Sequence, residues 1–479
     1  MVIAIYSLSC IVDILNTHSI ERKICCEFKS RKGEIVLRIF RLFILIGLFL
    51  ASFATASVVC ADVLFREVLV FNGKKEMLIG PTNVLVQGNI ITQISENATA
   101  SGDTVTTVVE GHGNVLMPGL IDNHWHSMLS LASTEALMMA DIGYVNILAG
   151  KGANEALMRG FTSLRDLGGP AFSLKRAIDQ GLIAGPRIYP AGAMISQTGG
   201  HGDFRLPYEI PKEPNSPLGY AEQVGVSAIA DSPDDVRLRT REQLMKGAVL
   251  IKLMAGGGVA SVYDPLDAVQ YTEAEVRAAV EAAENWGTYV TVHAYTPRAI
   301  QMAMKAGVKC VEHGQLADEE TVKIMSEKNI WWSLQPFLDD EDANPRTDPQ
   351  SRSKQLEVSA GTDNAYALAK KYGIKVAWGT DILGSAQGTL RHGSRLVKMQ
   401  RWYTSAEVLR MATSVNAELL ALSGARNPYP GKLGVVEEGA LADLLLVRGN
   451  PLEDLSLLEK PEGNMLVIMK DGILYKNID

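Results

Sequence analysis

Pro118-Gly119-Leu120-Ile121-Asp122-Asn123-His124-Trp125-His126 is a short apolar run that ends in two histidines one residue apart. In an extended strand residues i and i+2 point to the same side, so both imidazoles can reach one point in space. An exposed histidine pair has the same spacing, and the surrounding chain must decide between the two. Further apolar strand candidates follow at Ser163-Leu164, Ile188-Tyr189, Val249 to Leu253, Val290 to Val292, Cys310-Val311, Trp331 to Leu334 and Val376-Ala377-Trp378. Amphipathic stretches separate many of them, and Thr272-Glu273-Ala274-Glu275 and Thr404-Ser405-Ala406-Glu407 are capping boxes that open two helices. Eight near-continuous apolar strands alternating with helices predict an α/β fold, a parallel (β/α)8 TIM barrel. A doubly wound open sheet is the alternative, but no G-x-G-x-x-G turn opens the series.

On either side the pattern changes. Residues 62–118 read as short strands with turns at Asn72-Gly73 and Gln87-Gly88-Asn89, and residues 428–479 repeat the style, with a hairpin signal at Asp471-Gly472. Neither piece is large enough to bury a core alone, so the two are expected to pair as one small β-sandwich flanking a barrel of residues 119–427. Residues 1–61 read as a leader. Arg38 and Arg41 precede the apolar run Leu42 to Phe53, and small residues follow at Ala54-Thr55-Ala56 and Val59-Cys60-Ala61. That is the layout of a secretory signal, predicting an exported, periplasmic or secreted protein; a retained anchor or a lipidated Cys60 are the alternatives. Cleavage after Ala61 would leave only Cys310 of five cysteines, hence no internal disulfide.

The 479 residues are 47% hydrophobic and 21% charged, the balance of a folded chain, with a formal net charge of -8. No basic patch suggests nucleic-acid binding, which leaves a small molecule as the expected partner. Of the eight histidines, six fall in the predicted barrel: His124, His126, His201, His293, His313 and His392. Four of these directly follow strands, and Asp381 follows Val376 to Thr380. In a parallel barrel such positions converge on the C-terminal face, where active sites are built.

The opening stretch, His293, His313 and Gly379-Thr380-Asp381 together resemble the amidohydrolase superfamily over essentially the whole mature chain. Ile251-Lys252-Leu253-Met254-Ala255-Gly256-Gly257-Gly258-Val259 and Gly199-Gly200-His201-Gly202-Asp203 resemble its imidazolonepropionase-related branch, which contains Xaa-Pro dipeptidases, related carboxypeptidases and ochratoxin-type amidases. The resemblance implies two divalent metal ions, zinc by default, with His124, His126 and Asp381 on one and His293 and His313 on the other. Lys252 would bridge them as a CO2-derived carbamate, or else be a buried lysine paired with an acid. A metal-bridging hydroxide would attack the carbonyl, Asp381 would pass its proton to the leaving amine, and His201 would either donate to the oxyanion or merely order its loop.

Tyr263, Tyr295 and Arg298 are the expected contacts to a substrate carboxylate, and Arg391 and His392, which follow Asp381 through a Gly/Ser-rich loop, are expected to line the pocket mouth. Trp125 is expected to alter the pocket wall, and Trp331-Trp332 offer either stacking or core. The leading expectation is hydrolysis of an amide or peptide bond beside a free carboxylate, in a dipeptide or N-acyl amino acid. Opening of a cyclic amide or lactone, or a non-catalytic binding barrel, are the alternatives. Family relatives also imply a homo-oligomer, up to an octamer.

Overall fold

In the computed structural model, residues 62–99, 106–212 and 216–478 are described. The predicted leader, with Cys10, Cys25, Cys26 and Cys60, lies outside them. Strands β1 (Asp62–Val70), β2 (Ile79–Gln87), β3 (Ile90–Ser95), β4 (Thr106–Glu110) and β5 (Val115–Pro118) come from the first part of the chain. They join β16 (Leu444–Val447), β17 (Met465–Lys470) and β18 (Ile473–Asn477) from its end. The order is β18-β17-β16-β5-β1-β2-β3, with β4 also on β1. The two ends therefore pair as expected, but through one eight-stranded ladder rather than two sheets of a sandwich. The joint is β5 against β16, antiparallel with Leu446 opposite Leu116. Phe65, Val84, Ile91, Leu116, Leu444 and Leu446 are fully buried in the core of this sheet.

The intervening chain supplies parallel strands. The eight expected ones are β6 (Leu120–Trp125), β7 (Phe161–Asp166), β8 (Arg187–Pro190), β11 (Ile251–Met254), β12 (Val290–Ala294), β13 (Cys310–His313), β14 (Trp331–Ser333) and β15 (Val376–Ala377). Two short strands were not anticipated, β9 (Met194–Ser196) and β10 (Ser227–Ile229). They arise because the third strand of the series is interrupted: β8 pairs with β7, and β9, a few residues on, pairs with β11 and β10. The ladders are accordingly β6-β7-β8 and β10-β9-β11-β12-β13-β14-β15.

Among the described residues no ladder closes the ring between them. Isolated bonds span both seams: Val249 N to Pro190 O at 2.9 Å on one side, and Asn123 N to Trp378 O at 3.2 Å and Asp381 N to His124 O at 2.8 Å on the other. At the second seam the buried Asn416 amide donates to Ile121 O (2.7 Å) and Trp378 O (2.8 Å) and accepts from Trp378 N (3.1 Å). A side chain there does the work of backbone pairing, as buried peptide groups require.

Both anticipated capping boxes form, on the helices Glu273–Trp286 and Ser405–Arg410, with Thr272 and Thr404 accepting from the third helical N–H. Ala279, Ala283, Ile300 and Val322 bury the inner faces of the helices against the strands. Among the described residues no helix is long and apolar enough to cross a membrane.

The Asp471-Gly472 turn links β17 to β18, and Gly472 has φ +74°. A Cβ there would meet the backbone oxygen of Gly88 at 1.9 Å, an atom that cannot swing away. Gly472→Ala is therefore expected to cost about 1–3 kcal/mol, read as a lower urea midpoint with an unchanged slope.

Candidate active site

Leu120 and Ile121 are buried, so β6 is held in register and its end is fixed. Alternation then sends His124 and His126 to one side and Trp125 to the other. Trp125 is stacked on His392 at 4.6 Å between ring centroids, in the core behind the site. It is not part of the cavity wall, contrary to expectation. His124 Nε2 and His126 Nε2 lie 3.4 and 3.2 Å from Asp381 Oδ1. One ligand atom from each of these three residues falls within 4.8 Å of the others, spacing suited to a shared metal ion.

Lys252, His293 and His313 line the same cavity, on β11, β12 and β13. The ring centroids of His124 and His313 are 4.8 Å apart, and those of His293 and His313 4.6 Å. The structure thus brings together all six residues expected at the metal centre. Each histidine is tethered by one ring nitrogen: His124 Nδ1 to Glu312 Oε2 (3.0 Å), His126 Nδ1 to Gly168 O (3.3 Å), His313 Nδ1 to Gln335 Oε1 (2.7 Å), His293 Nε2 to Gly257 O (3.1 Å). The tether fixes ring orientation and leaves the other nitrogen of each ring available. Burial lowers the pKa of His124, and of His293 and His313 more strongly, which favours the neutral imidazole a metal needs.

His313 and Asp381 also have left-handed backbone, φ +71° and +52°. Non-glycine residues hold that conformation at a cost of order 1–3 kcal/mol, and only when their surroundings impose it. Asp381 is imposed by its N–H bond to His124 O, and His313 by Trp332, whose indole N–H donates to the His313 carbonyl. Trp331 and Trp332 are thus both core residues, not a stacking surface.

Several residues essential to this arrangement have no distinctive spacing in the sequence. Glu312, fully buried, accepts from Arg165 Nη2 at 2.7 Å as well as from His124, and from the Thr291 hydroxyl. Burial opposes its ionisation, yet the Arg165 guanidinium beside it holds the carboxyl well below the usual range. Asp122 accepts from His124 N (2.8 Å), Thr380 Oγ1 (2.6 Å) and His392 Nε2 (2.9 Å). Lys252 is 1% exposed and makes no hydrogen bond or ion pair among the described residues; burial pushes its ammonium down to about 8.

His201 lines the cavity and stacks on His293 with centroids 4.1 Å apart. Its Nδ1 donates to Ser261 Oγ at 2.6 Å, and Ser261 in turn donates to Asp264. A Cβ on Gly258 would lie 2.0 Å from the His201 ring, so the glycine run after β11 makes room for the imidazole.

The residues expected at the substrate carboxylate and the pocket mouth are placed differently. Tyr295 is buried in the cavity wall, edge-on to His293 at 5.0 Å. Tyr263 is 48% exposed, with its hydroxyl on Arg205 O (3.3 Å), and Arg298 is an exposed helix residue. His392 is fully buried beneath β6, holding Asp122, and Arg391 pairs with Asp342 and Glu341. Of these five only Tyr295 lines the cavity, because each of the other four has turned to satisfy a neighbouring group or solvent.

The cavity is about 270 Å³, walled by Leu129, Leu137, Met138, Met194, Phe204 and Phe337 away from the histidines. Beneath it, the Glu312–Arg165 pair is testable. Glu312→Gln strands a buried guanidinium and should cost about 3–5 kcal/mol in urea unfolding. Adding Arg165→Met should recover part of that loss; equal destabilisation of the single and double variants would remove the pair's role.

The amidohydrolase family pattern matches residues 115–474. The chain is 33% identical over 383 residues to an ochratoxinase from Aspergillus niger, covering 76% of each protein. It is similar to the crystal structure of a prolidase complexed with N-methylphosphonate-L-proline (TM-score 0.78, 32% identity, 87% of this chain and 100% of that one). A Xaa-Pro dipeptidase with methionine bound in its active site gives TM-score 0.75 and 31% identity, with the same coverage. With the match running from β5 through β18, and the histidines, lysine and aspartate gathered on one cavity, the chain belongs to the amidohydrolase family and is a hydrolase of amide or peptide bonds.

Proposed function

We propose that the protein hydrolyses an amide or peptide bond beside a free carboxylate, with two divalent metal ions in a closed eight-stranded barrel. The observation that carries this reading is the tethering of all four histidines, each with one ring nitrogen on a protein acceptor and the other left for a ligand. Surface or core histidines have no reason to share that pattern.

The donor set fits such ions. His124, His126 and Asp381 would hold one, His293 and His313 the other, and imidazole with carboxylate suits zinc. Lys252 lines the same cavity with a depressed ammonium pKa and no acid in contact among the described residues, so its neutral amine could add to CO2 and lose a proton, and the resulting carbamate would offer the ions an anionic oxygen ligand. When bound, divalent ions activate water for attack and polarise a carbonyl oxygen. Asp381, with Oδ1 turned toward the two histidines, takes the attacking water's proton on its free oxygen and passes it to the departing nitrogen. Because Ser261 and Asp264 fix its Nδ1 side, His201 presents Nε2 to the cavity, where a protonated Nε2 donates to the tetrahedral oxygen. The apolar walls keep bulk water away from these exchanges and accept an apolar acyl or side-chain group. The prolidase and Xaa-Pro dipeptidase names of two similar structures agree with a peptide substrate bearing a terminal carboxylate.

Metal analysis of protein grown with bicarbonate should find two ions per chain, and chelation should abolish turnover of dipeptides and N-acyl amino acids. Lys252→Ala should lose both ions' occupancy and activity, and added propionate should return part of each. One ion per chain, or full activity after exhaustive chelation, would sink the reading. His201→Gln should lower kcat about 10²–10³-fold while KM stays within a few-fold; a change confined to KM would instead make His201 a loop-ordering residue.

A further inference from the structure

We infer that Arg346 is the anion-binding residue of this cavity and that it receives the carboxylate of the substrate. Among the described residues four lysine and arginine side chains line the cavity: Lys252, Arg346, Arg395 and Lys398. Lys398 is neutralised by Asp340 and Asp342 at 2.7 and 2.8 Å. Arg395 donates to the Thr380 and Asp342 carbonyls at 3.1 and 2.9 Å. Lys252 belongs to the reacting centre. Arg346 alone of the other three has no hydrogen bond or ion pair from its guanidinium among the described residues; its Nε, like that of Arg395, is buried without a partner, but Arg395 still donates through both terminal nitrogens. A buried guanidinium nitrogen without an acceptor is costly, and an acid entering the cavity offers acceptors to the half-buried fork that carries it.

The loop that carries it is fixed from both sides, so the charge is placed before substrate arrives. Gln355 accepts from Arg346 N at 3.1 Å and donates to Ala343 O at 2.7 Å. Asp342, in the same loop, is gripped by Lys398 and Arg391. Tyr295 lines the same cavity as Arg346, and its ring lies 5.0 Å from His293 and 5.2 Å from His313. The guanidinium-bearing loop and the histidines therefore face one cavity. A planar fork in the same cavity as the histidines suits a carboxylate on the substrate whose bond is cleaved there. Tyr263 and Arg298, read from the sequence for this role, are both outside the cavity lining.

The inference rests on the amide-hydrolase reading of the same cavity, and binding separates the two. The probes are 3-phenylpropanoate and 3-phenylpropan-1-ol, neither of which can be hydrolysed, titrated calorimetrically into metal-loaded wild type, Arg346→Met and Arg346→Lys. The acid should bind wild type more tightly than the alcohol and lose about 10- to 100-fold in Arg346→Met, with the alcohol unchanged and Arg346→Lys intermediate. Turnover of N-acetyl-L-phenylalanine and L-methionyl-L-proline should fall in Arg346→Met mainly through KM. Arg346-dependent acid binding without turnover of either substrate would sink the amide reading and leave this assignment standing. Turnover with unchanged acid affinity in Arg346→Met, an equal loss for acid and alcohol, or no acid binding by wild type would overturn the assignment. Circular dichroism of each variant excludes unfolding as the cause.

Discussion

A single buried carboxylate organises the centre of this protein. Glu312 stands at the end of β13 with no access to water, and an ionised acid there is tolerable only because Arg165, from β7, reaches across to it. Its second oxygen takes the Nδ1 hydrogen of His124, from β6. Side chains thereby fix β13 to β6 and β7, two strands of the other ladder. The remaining face of His124 is then free to look into the cavity, and its partner histidines follow from the neighbouring strands. Removing that acid would leave Arg165 uncompensated and His124 free to rotate, which links the stability of the barrel interior to the shape of its site.

The site is assembled on the same logic of paired obligations. Asp122 locks His124 N, Thr380 and His392 together, so the segment leading to Asp381 is registered against β6 although no ladder joins them. His313 and Asp381 both sit in left-handed backbone, imposed by Trp332 and by the His124 carbonyl. Strain of this kind aims a side chain where regular strand geometry would not, and it persists because the packing around it is complete. The second group of contacts, His201 with Ser261 and Asp264, is tied by Lys354, whose ammonium donates to the carbonyls of Gly258, Ser261 and Asp264, each at 2.9 Å. A lysine from the helix Pro349–Lys371 thus braces the glycine-rich loop that faces the reacting centre.

Much of the fold was legible because it is written in local periodicity. The eight apolar runs became the eight main parallel strands, and both Thr-x-x-Glu boxes cap helices, since a strand buried on both faces and a helix start each demand particular residues nearby. What periodicity could not reveal was the break between β8 and β9, or that the two chain ends form one continuous sheet. Those depend on which edges meet, a matter of long-range pairing. At the site the histidines, Lys252 and Asp381 could be read because metal-type ligands at strand ends are rare. Glu312, Asp122, Gln335 and Arg346 could not, because an acid, an amide or an arginine in a strand or loop is ordinary until its neighbours are known.

By itself the sequence determined the alternation of strand and helix, the pairing of the two ends and the identity of the residues crowded at the cavity, since hydrophobic period and ligand type are properties of single segments. Tertiary structure decided which way each side chain is spent. His392 went to Asp122, Tyr263 to a backbone carbonyl at the surface and Arg391 to two acids, while Arg346 was left facing the cavity. Hydrogen-bond satisfaction is a contest among groups from distant parts of the chain, and its outcome is fixed only when those groups meet.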